Sequence, residues 1–377
     1  MSLINYLTRI HFADDVLEDA LGAEIEAFKV KRPMIVTDPG IVKSGLVERI
    51  LDVFSLDITP VVFNKTPENP TEKACQEAVR LYVESDCDCL IGFGGGSSID
   101  LAKAAAILIS HGNDLSSYSA IEGGTARIKD KLPIIIAIPT TSGSGSEVSR
   151  TAAIVSSKGR KLSLISKYLV PKIAIIDPTL TLSLPPLMTA ATGMDALATC
   201  VETYIATAYN SPADGIALDG LRRVAANIER AVETGSDLFA RREMMAAAMN
   251  GALACQKGLG GVHAMSHALG GLADYDFHHG TLNAILLPKI LEFNAPAVSH
   301  RYDEIKRALS IDKRSNVSNA IARLTKRLGL PTKLSELGVN ISAIRQAASL
   351  AEKDHSNRTN PRRASKSDYF EIMRSAL

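Results

Sequence analysis

Short runs of apolar, β-branched residues recur along the first half of the chain, and most are separated by stretches with helical spacing. The runs that predict strands are Pro33–Thr37, Ile58–Phe63, Cys89–Phe93, Ile134–Ile138, Ala152–Val155 and Ile173–Ile176. The stretches with helical spacing include Thr71–Glu84 and Ser98–Ser110. Strands that alternate with helices predict βαβ units and a mainly parallel sheet.

The pattern changes near Asp177–Pro186, beyond which β-branched runs become rare. The helical stretches there are Pro212–Thr234, Leu238–Cys255 and Val317–Leu328. We therefore predict an α/β domain over residues 1–183 and an all-helical domain over residues 184–377. The polar segment Lys353–Ser367 predicts a long loop.

Composition excludes several classes of protein. The 377 residues include 42 basic and 41 acidic side chains, well mixed, which leaves no electrostatic footprint for nucleic acid or an anionic membrane. The longest apolar run, Leu132–Pro139, is far shorter than the ~20 residues that a membrane span requires. Met1–Leu7 lacks the features of a signal peptide, and five scattered cysteines do not predict a disulfide framework. We expect a cytoplasmic protein.

Two glycine- and hydroxyl-rich turns follow predicted strands. Gly92–Ser98 opens a helix, so free N–H groups of the first turn would point at an anion. Pro139–Glu147 offers the hydroxyls of Thr140, Thr141 and Ser144. Both turns should lie at the carboxyl edge of the sheet, where open α/β sheets bind ligands. The alternative is a pair of tight turns without a ligand.

An acidic residue, Asp38, ends one of the early strands. A carboxylate at this place can accept hydrogen bonds from ribose hydroxyls and repel a 2′-phosphate, which favours NAD over NADP. The alternative is an ordinary turn residue before Pro39 and Gly40.

Half of the eight histidines fall in the segment Gly261–Gly280. His263 and His267 are four residues apart, so on a helix they share one face. With this spacing, both imidazoles could bind one metal ion, or one could bind the metal while the other carries a proton. His278 or His279 could add a third imidazole. A set of core or surface histidines is the alternative.

The chain resembles the iron-containing (group III) alcohol dehydrogenases along nearly its whole length. The matching stretches are Gly94–Lys103, Ile138–Glu147, Thr189–Leu197, Gly258–Gly271, His279–Pro288 and Asn360–Arg362. The resemblance implies a Rossmann-like N-terminal domain and a helical C-terminal domain, the architecture of dehydroquinate synthase and its relatives. It also implies NAD(P), a divalent metal (Fe²⁺ or Zn²⁺) and a homodimer or larger oligomer.

Residue roles follow from the same resemblance. The positions that it assigns to the cofactor are Asp38, Asn69, Gly95, Gly96, Ser97, Thr140, Thr141, Ser144 and Lys161. Asp195, His263 and His279 match three of the family's four metal ligands, one Asp and three His. His267 matches the histidine beside the nicotinamide and the substrate, and it is the candidate proton relay.

Three departures from the family pattern concern the metal. Thr199 stands where the fourth ligand, a histidine, is expected. Gln256–Gly258 replaces the usual Asn-Ala-Gly, and a longer interval before His279 leaves His278 as a rival ligand. Either three ligands hold a weakly bound metal, or Lys257 supplies the positive charge, as in relatives that reduce maleylacetate without metal. A solvated surface lysine is the alternative for Lys257.

The resulting prediction is an NAD(H)-dependent enzyme that interconverts a small alcohol with its aldehyde, ketone or keto acid. The alternatives are a polyol or glycerol-phosphate dehydrogenase, a metal-independent reductase similar to those for maleylacetate, and a catalytically impaired NAD-binding protein. The substrate is a small molecule. The side chains that could meet a substrate carboxylate are Arg150, Lys257, His355 and Arg362.

Overall fold

The computed structural model describes residue 6 and residues 8–112, 114–272, 275 and 277–377. The N-terminal residues on which the signal-peptide expectation rests lie mostly outside this part of the chain. Two compact units are present. Residues 6–141 and 146–183 form an α/β unit, and residues 142–145 and 184–377 form a helical unit.

The α/β unit is built on a parallel sheet of six strands. In chain order its strands are β1 (Arg9–Phe12), β2 (Pro33–Val36), β3 (Val61–Phe63), β4 (Cys89–Gly94), β5 (Ile134–Pro139) and β8 (Ile173–Ile176). Their spatial order is β1-β8-β5-β4-β2-β3. The direction of the chain along the sheet reverses between β2 and β4, and such a switch point is where open α/β sheets bind ligands.

Helices of the α/β unit cover the sheet and bury its apolar strands. They are α1 (Leu17–Ala27), α2 (Pro39–Lys43), α3 (Leu46–Leu51), α4 (Glu72–Glu84) and α5 (Gly96–His111). Small side chains, including Ala102 and Ala104, let α5 pack closely on β4 and β5. Thr71 caps α4 by accepting from the Ala74 N–H. The strand and helix alternation predicted for this region is confirmed.

Three strands differ from the sequence prediction. The run predicted at Ala152–Val155 is β6 (Thr151–Val155), which pairs antiparallel with β7 (Lys161–Ile165) in a separate two-stranded sheet. The sequence pattern missed β7 because polar residues interrupt its apolar positions. It missed β1 because Arg9 and His11 interrupt that strand; both side chains pair with the buried Glu24 of α1.

The helical unit is packed around α6 (Pro186–Ile205), which is buried along nearly its whole length from Thr189 onward. The other helices are α7 (Ser211–Glu233), α8 (Leu238–Ala254), α9 (Gly261–Gly270), α10 (His279–Ala308), α11 (Val317–Arg327), α12 (Ile341–Lys353) and α13 (Lys366–Arg374). The α/β plus helical fold class is confirmed. In the described part of the chain, no helix has the length and apolar character of a bilayer span.

The segment predicted as a long loop, Lys353–Ser367, contains more structure than expected. A short 3₁₀ helix spans His355–Arg358, and Asp354 caps it by accepting from the Ser356 N–H at 2.8 Å. The buried Asn357 donates to the carbonyls of Glu352 and Ala364, which holds this helix in place. The sequence pattern missed this helix because it is held by local side-chain hydrogen bonds and lacks the apolar periodicity of a longer helix.

Candidate functional site

The first glycine turn forms an open helix N-terminus at the switch point of the sheet. Gly94 has φ +147°, and a Cβ there would lie 2.7 Å from Ser98 Oγ and 3.1 Å from Asp38 Oδ2. The N-cap residue of α5 is Gly95, which offers no side chain to the first N–H groups of the helix. A helix N-terminus of this kind binds the anionic oxygens of a phosphate.

The second turn lies beside the first because β4 and β5 are neighbouring parallel strands. Gly94 is in register with Pro139, and the Thr140 N–H donates to the Gly94 carbonyl at 3.0 Å. A Cβ on Gly95 would lie 3.5 Å from Thr141 Cγ2. Among the described residues, the buried Thr140 Oγ1 has no hydrogen-bond partner. The structure therefore brings Gly95, Thr140 and Thr141 together, with a free hydroxyl beside the turn.

Asp38 follows β2, directly across the switch point from Gly94. Its Oδ1 accepts from the N–H groups of Gly40 and Ile41 and caps α2, while its Oδ2 lies 3.4 Å from Ser98 Oγ. The capping role is the turn alternative considered for this residue, and it leaves Oδ2 on the side of the glycine turn. A ribose contact through this oxygen stays a prediction.

The remaining predicted cofactor residues are placed in three ways. Lys161 of β7 donates to Asn69 Oδ1 at 3.3 Å, so these two side chains are neighbours. Ser97, in the first turn of α5, donates to the Glu68 carbonyl. Ser144 is exposed in the segment 142–145, which belongs to the helical unit, whereas the other predicted cofactor residues belong to the α/β unit.

The three predicted metal ligands converge from three helices. Asp195 lies on α6, His263 on α9, and His279 is the first residue of α10. Asp195 Oδ1 is 3.8 Å from the Nε2 atoms of both histidines, and one ligand atom from each residue lies within 4.8 Å of the other two. Metal bonds of about 2.1 Å require ligand atoms roughly 3–3.5 Å apart, so a small inward shift would fit the set to an ion.

A buried carboxylate behind His263 fixes the orientation of its ring. Glu202 accepts from His263 Nδ1 at 2.7 Å, which leaves Nε2 directed toward Asp195. The same carboxylate accepts from the N–H groups of Gly260 and Val262 and so caps α9. Burial lowers the pKa of His263, but the hydrogen bond and charge of Glu202 outweigh burial and raise it. A carboxylate that orients a metal-binding imidazole is a common second layer of such sites.

Asn283 of α10 forms the other support. Its Nδ2 donates to Asp195 Oδ1 at 2.8 Å and lies 3.3 Å from His279 Nε2. Asn283 is fully buried, one helical turn beyond His279. The amide therefore fixes the relative positions of the carboxylate and the second imidazole.

Thr199 lies at the fourth side of this group, one helical turn beyond Asp195. Its Oγ1 is 3.5 Å from His263 Nε2. Gly251 of α8 faces Thr199, because a Cβ at that glycine would lie 3.2 Å from Thr199 Cγ2. The hydroxyl is thus at the position that the family pattern reserves for a ligand, but its short side chain does not reach as far as an imidazole.

A column of imidazoles leads away from the three-residue group. His267 stacks on His279 with ring centroids 5.5 Å apart and on His355 with centroids 5.9 Å apart. Asp354 Oδ2 is 3.2 Å from His267 Nδ1, and Asp354 Oδ1 is 3.4 Å from His355 Nδ1. Burial alone would raise the pKa of Asp354, but the charges of His267 and His355 lower it. Burial lowers the pKa of His355 itself.

Sequence reasoning did not identify Asp354 as a partner of His267. The two residues are 87 positions apart, and Asp354 lies in a segment predicted to be a loop. Its position shortly before the family stretch Asn360–Arg362 was the available signal. His278 is the N-cap residue of α10, and the metal-competent group contains His279 instead.

Lys257 is buried, with 1% of its side chain exposed, but the structure gives it partners outside the group of Asp195 and the histidines. Its Nζ donates to the Tyr204 carbonyl at 2.7 Å and to Asp214. Arg301 donates to the same carboxylate at 2.8 Å and to the same carbonyl. Burial lowers the pKa of Lys257 despite the opposing charge of Asp214. The lysine therefore fastens the C-terminal end of α6 to α7.

A glycine turn at the switch point of a parallel sheet and a group of one aspartate and two histidines on helices are features expected of an enzyme that uses a nucleotide and a metal. Two family models match the chain, "Iron-containing alcohol dehydrogenase" over residues 8–178 and "Fe-containing alcohol dehydrogenase family, C-terminal" over residues 189–377. The chain belongs to the iron-containing alcohol dehydrogenase family. It is an NAD-dependent enzyme that interconverts an alcohol and its carbonyl compound.

Individual relatives agree with this assignment. The chain is 47% identical to 4-hydroxybutyrate dehydrogenase of Cupriavidus necator, covering 100% of both proteins. The crystal structure of a 1,3-propanediol oxidoreductase superposes with a TM-score of 0.92, at 31% identity and 100% coverage of both chains. Sulfoacetaldehyde reductase from Bifidobacterium kashiwanohense, solved in complex with NAD+, superposes with a TM-score of 0.88 at 26% identity, covering 100% of this chain and 98% of that one.

Proposed function

We propose that this enzyme oxidises a small primary alcohol with NAD⁺, or reduces the aldehyde with NADH, while Asp195, His263 and His279 hold a divalent metal. The observation that carries the proposal is the convergence of these three donors on one point, with Glu202 and Asn283 orienting them. Two imidazoles and a carboxylate are a donor set that Zn²⁺ and Fe²⁺ accept.

The metal, when bound, supplies positive charge that polarises the oxygen of the alcohol or the carbonyl compound. Three protein ligands with an open position are an accepted catalytic arrangement. Thr199 adds a hydroxyl where a fourth ligand is expected, so we propose that the ion is held more weakly than by the complete set of ligands.

His267 is proposed as the proton relay. Asp354 holds its Nδ1 at 3.2 Å, so the ring has a fixed orientation and Nε2 is left to exchange a proton with the substrate. In the oxidation, bound NAD⁺ would accept the hydride from the alcohol carbon, and His267 would accept the hydroxyl proton. The imidazolium of His267 would return this proton to water, and the carbonyl compound and NADH would be released.

NAD binding is proposed for the glycine turns of the α/β unit. Gly95, Gly96 and Ser97 at the start of α5 would hold the pyrophosphate, and Asp38 Oδ2 would accept from the adenosine ribose. Asn69 would lie along the adenosine half of the cofactor. Thr140, Thr141 and Ser144 would contact the nicotinamide half, with Lys161 close to it. The buried hydroxyl of Thr140, which lacks a partner among the described residues, supports this assignment.

Lys257 is proposed to be a structural cation rather than a substitute for the metal, since Asp214 and the Tyr204 carbonyl already accept from it. Replacing Lys257→Met should lower thermal stability, by roughly 1–3 kcal/mol for a lost buried hydrogen bond to a charged group. Because Arg301 still pairs with Asp214, we expect kcat to stay within about threefold of the wild-type value. If turnover of the folded variant fell a hundredfold or more, Lys257 would instead be the group that supplies positive charge to the reacting oxygen.

The substrate proposed is 4-hydroxybutyrate, whose oxidation gives the corresponding semialdehyde, because the relative with that activity is 47% identical over the full length. A homodimer or larger oligomer and a cytoplasmic location are also proposed. NAD rather than NADP is proposed on the position of Asp38.

The test is a metal analysis of the purified enzyme before and after chelation, with NADH formation measured in parallel. We expect turnover to fall with metal content and to return when Zn²⁺ or Fe²⁺ is added back. Full activity without bound metal would refute the metal assignment. NADH binding without turnover of any alcohol tested would favour the impaired, cofactor-binding alternative.

A further inference from the structure

The 3₁₀ helix His355–Arg358 places two side chains on one side of the backbone. Such a helix has three residues per turn, so residues i and i+3 eclipse each other. His355 and Arg358 are the first and fourth residues of this helix. The helix is held firmly, because Asn357 bonds to two carbonyls and Thr359 Oγ1 donates to the Leu259 carbonyl at 2.6 Å.

Arg358 is an exposed cation on the 3₁₀ helix that also carries His355, whose ring stacks on His267 in the imidazole column. It makes no hydrogen bond or ion pair within the described part of the chain, whereas Arg301 and Arg327 of the same unit pair with carboxylates. Burial lowers the pKa of the His355 imidazole, the charge of Asp354 opposes this shift, and the Arg358 guanidinium makes the smallest contribution, also toward a lower pKa. The carboxylate of Asp354 is shared between His267 and His355.

The distance between two rings of the imidazole column matches the length of a small hydroxy acid. The ring of His267, the proposed proton relay, is 5.9 Å from the ring of His355. An extended four-carbon ω-hydroxy acid separates its hydroxyl oxygen from its carboxylate by about 6 Å, given C–C bonds of about 1.5 Å. A substrate whose hydroxyl lies at His267 would therefore bring its carboxylate level with His355.

We propose that His355 and Arg358 form a carboxylate subsite that selects ω-hydroxy acids of this length over uncharged alcohols. Arg358 pairs with the carboxylate, since a guanidinium binds both of its oxygens in a planar arrangement. His355 lines the path between the relay and the guanidinium. The proposal rests on the proposed function and names the residues that would give it specificity.

The test compares 4-hydroxybutyrate with 1,4-butanediol, which keeps the four carbons and the reacting hydroxyl but lacks the charge. In Arg358→Gln, we expect the ratio of kcat/KM for the acid to that for the diol to fall roughly 10- to 100-fold, as for a lost hydrogen bond to a charged group. The loss should lie mainly in KM. His355→Phe, which keeps a ring against His267, should lower the same ratio by a smaller factor.

The matched control is Arg345→Gln, which removes an exposed arginine of α12 in the same unit. It should leave the ratio as in the wild type. An equal effect of Arg358→Gln on both substrates, or an equal effect of Arg345→Gln on the ratio, would overturn the subsite.

A binding measurement separates this proposal from the proposed function. Calorimetric titration of the NAD-loaded enzyme with butyrate and with butyramide needs no turnover, and we expect Arg358→Gln to weaken butyrate binding alone. Butyrate binding that is unaffected by the substitution overturns the subsite even in an active enzyme. An enzyme that turns over neither alcohol refutes the proposed function, and the butyrate titration then still decides on the subsite.

Discussion

The two candidate sites of this enzyme are built from different parts of the polypeptide. The glycine turn of the α/β unit is a backbone site: Gly94 and Gly95 expose the N–H groups of α5 within a few consecutive residues. The group in the helical unit is a side-chain site, whose donors come from α6, α9 and α10 and are up to 84 positions apart in sequence, from Asp195 to His279. A backbone site depends on conformation, whereas a side-chain site depends on the identity and support of each donor.

The largest expected effect is on the side-chain site. Asp195→Ala should reduce turnover by about a thousandfold or more, because several kcal/mol of charge stabilisation are lost with the metal. NADH binding, followed by fluorescence titration, should persist because its residues lie in the α/β unit. Loss of NADH binding together with turnover would show that the two sites are not separable.

The converse substitution strains the backbone site. In Gly94→Ala, the added Cβ meets Ser98 Oγ at 2.7 Å in a conformation with φ +147°, so the turn has to shift. We expect NADH to bind about 10- to 100-fold more weakly, corresponding to strain of order 1–3 kcal/mol. Metal content per chain should match the wild type, and a simultaneous loss of metal would contradict the separation.

The second layer of the metal group gives an intermediate effect. Glu202→Gln removes the charge behind His263 and should weaken metal binding by about 10- to 100-fold. Titration of the metal-free protein with Zn²⁺ measures this without reference to activity. Arg345→Gln on the surface of α12 is the control, and it should leave Zn²⁺ affinity at the wild-type level. Equal Zn²⁺ affinity in Glu202→Gln and the wild type would remove Glu202 from the site.

The smallest expected effect comes from restoring the missing ligand. Thr199→His should raise the affinity for Zn²⁺ about tenfold, or ~1.4 kcal/mol, because a fourth imidazole completes the coordination. Gly251 packs closely against this position, since a Cβ there would lie 3.2 Å from Thr199 Cγ2, so the new ring has to point toward Asp195 and His263. Slower metal loss to a chelator would be the readout. Faster loss of metal from a folded variant would mean that the site binds the ion more tightly with the Thr199 hydroxyl than with an imidazole.

The difference between the sites also explains what the sequence could predict. Gly94–Ser97 and Thr140 fall at the ends of adjacent strands and are visible as local patterns, so the backbone site could be predicted from the local sequence. Asp195, His263 and His279 were identified by resemblance, and their meeting point depends on the packing of three helices. Their roles, like those of the cofactor residues, stay predictions.

Partners that depend on tertiary structure could not be predicted. Glu202 is an acidic residue on the buried helix α6, and its partners become visible only where α9 begins beside it. Asp354 meets His267 across 87 positions of sequence. Lys257 was a candidate cation by its position in sequence near His263, but the packing of α6 and α7 gives it Asp214 and the Tyr204 carbonyl as partners. Burial and pairing of a charge are properties of the whole fold rather than of a local pattern.

Glu202 contributes both to the folding of α9 and to the orientation of a predicted metal ligand. Because one carboxylate caps α9 and also holds the imidazole of His263, the first turn of that helix and the orientation of the ring are set by the same hydrogen bonds. A metal ion bound by His263 should therefore also stabilise the first turn of α9. The free energy of folding and the binding of the metal are then thermodynamically linked. The melting temperature should rise with free metal concentration, and amide exchange at Gly260, Val262 and His263 should slow in step with it.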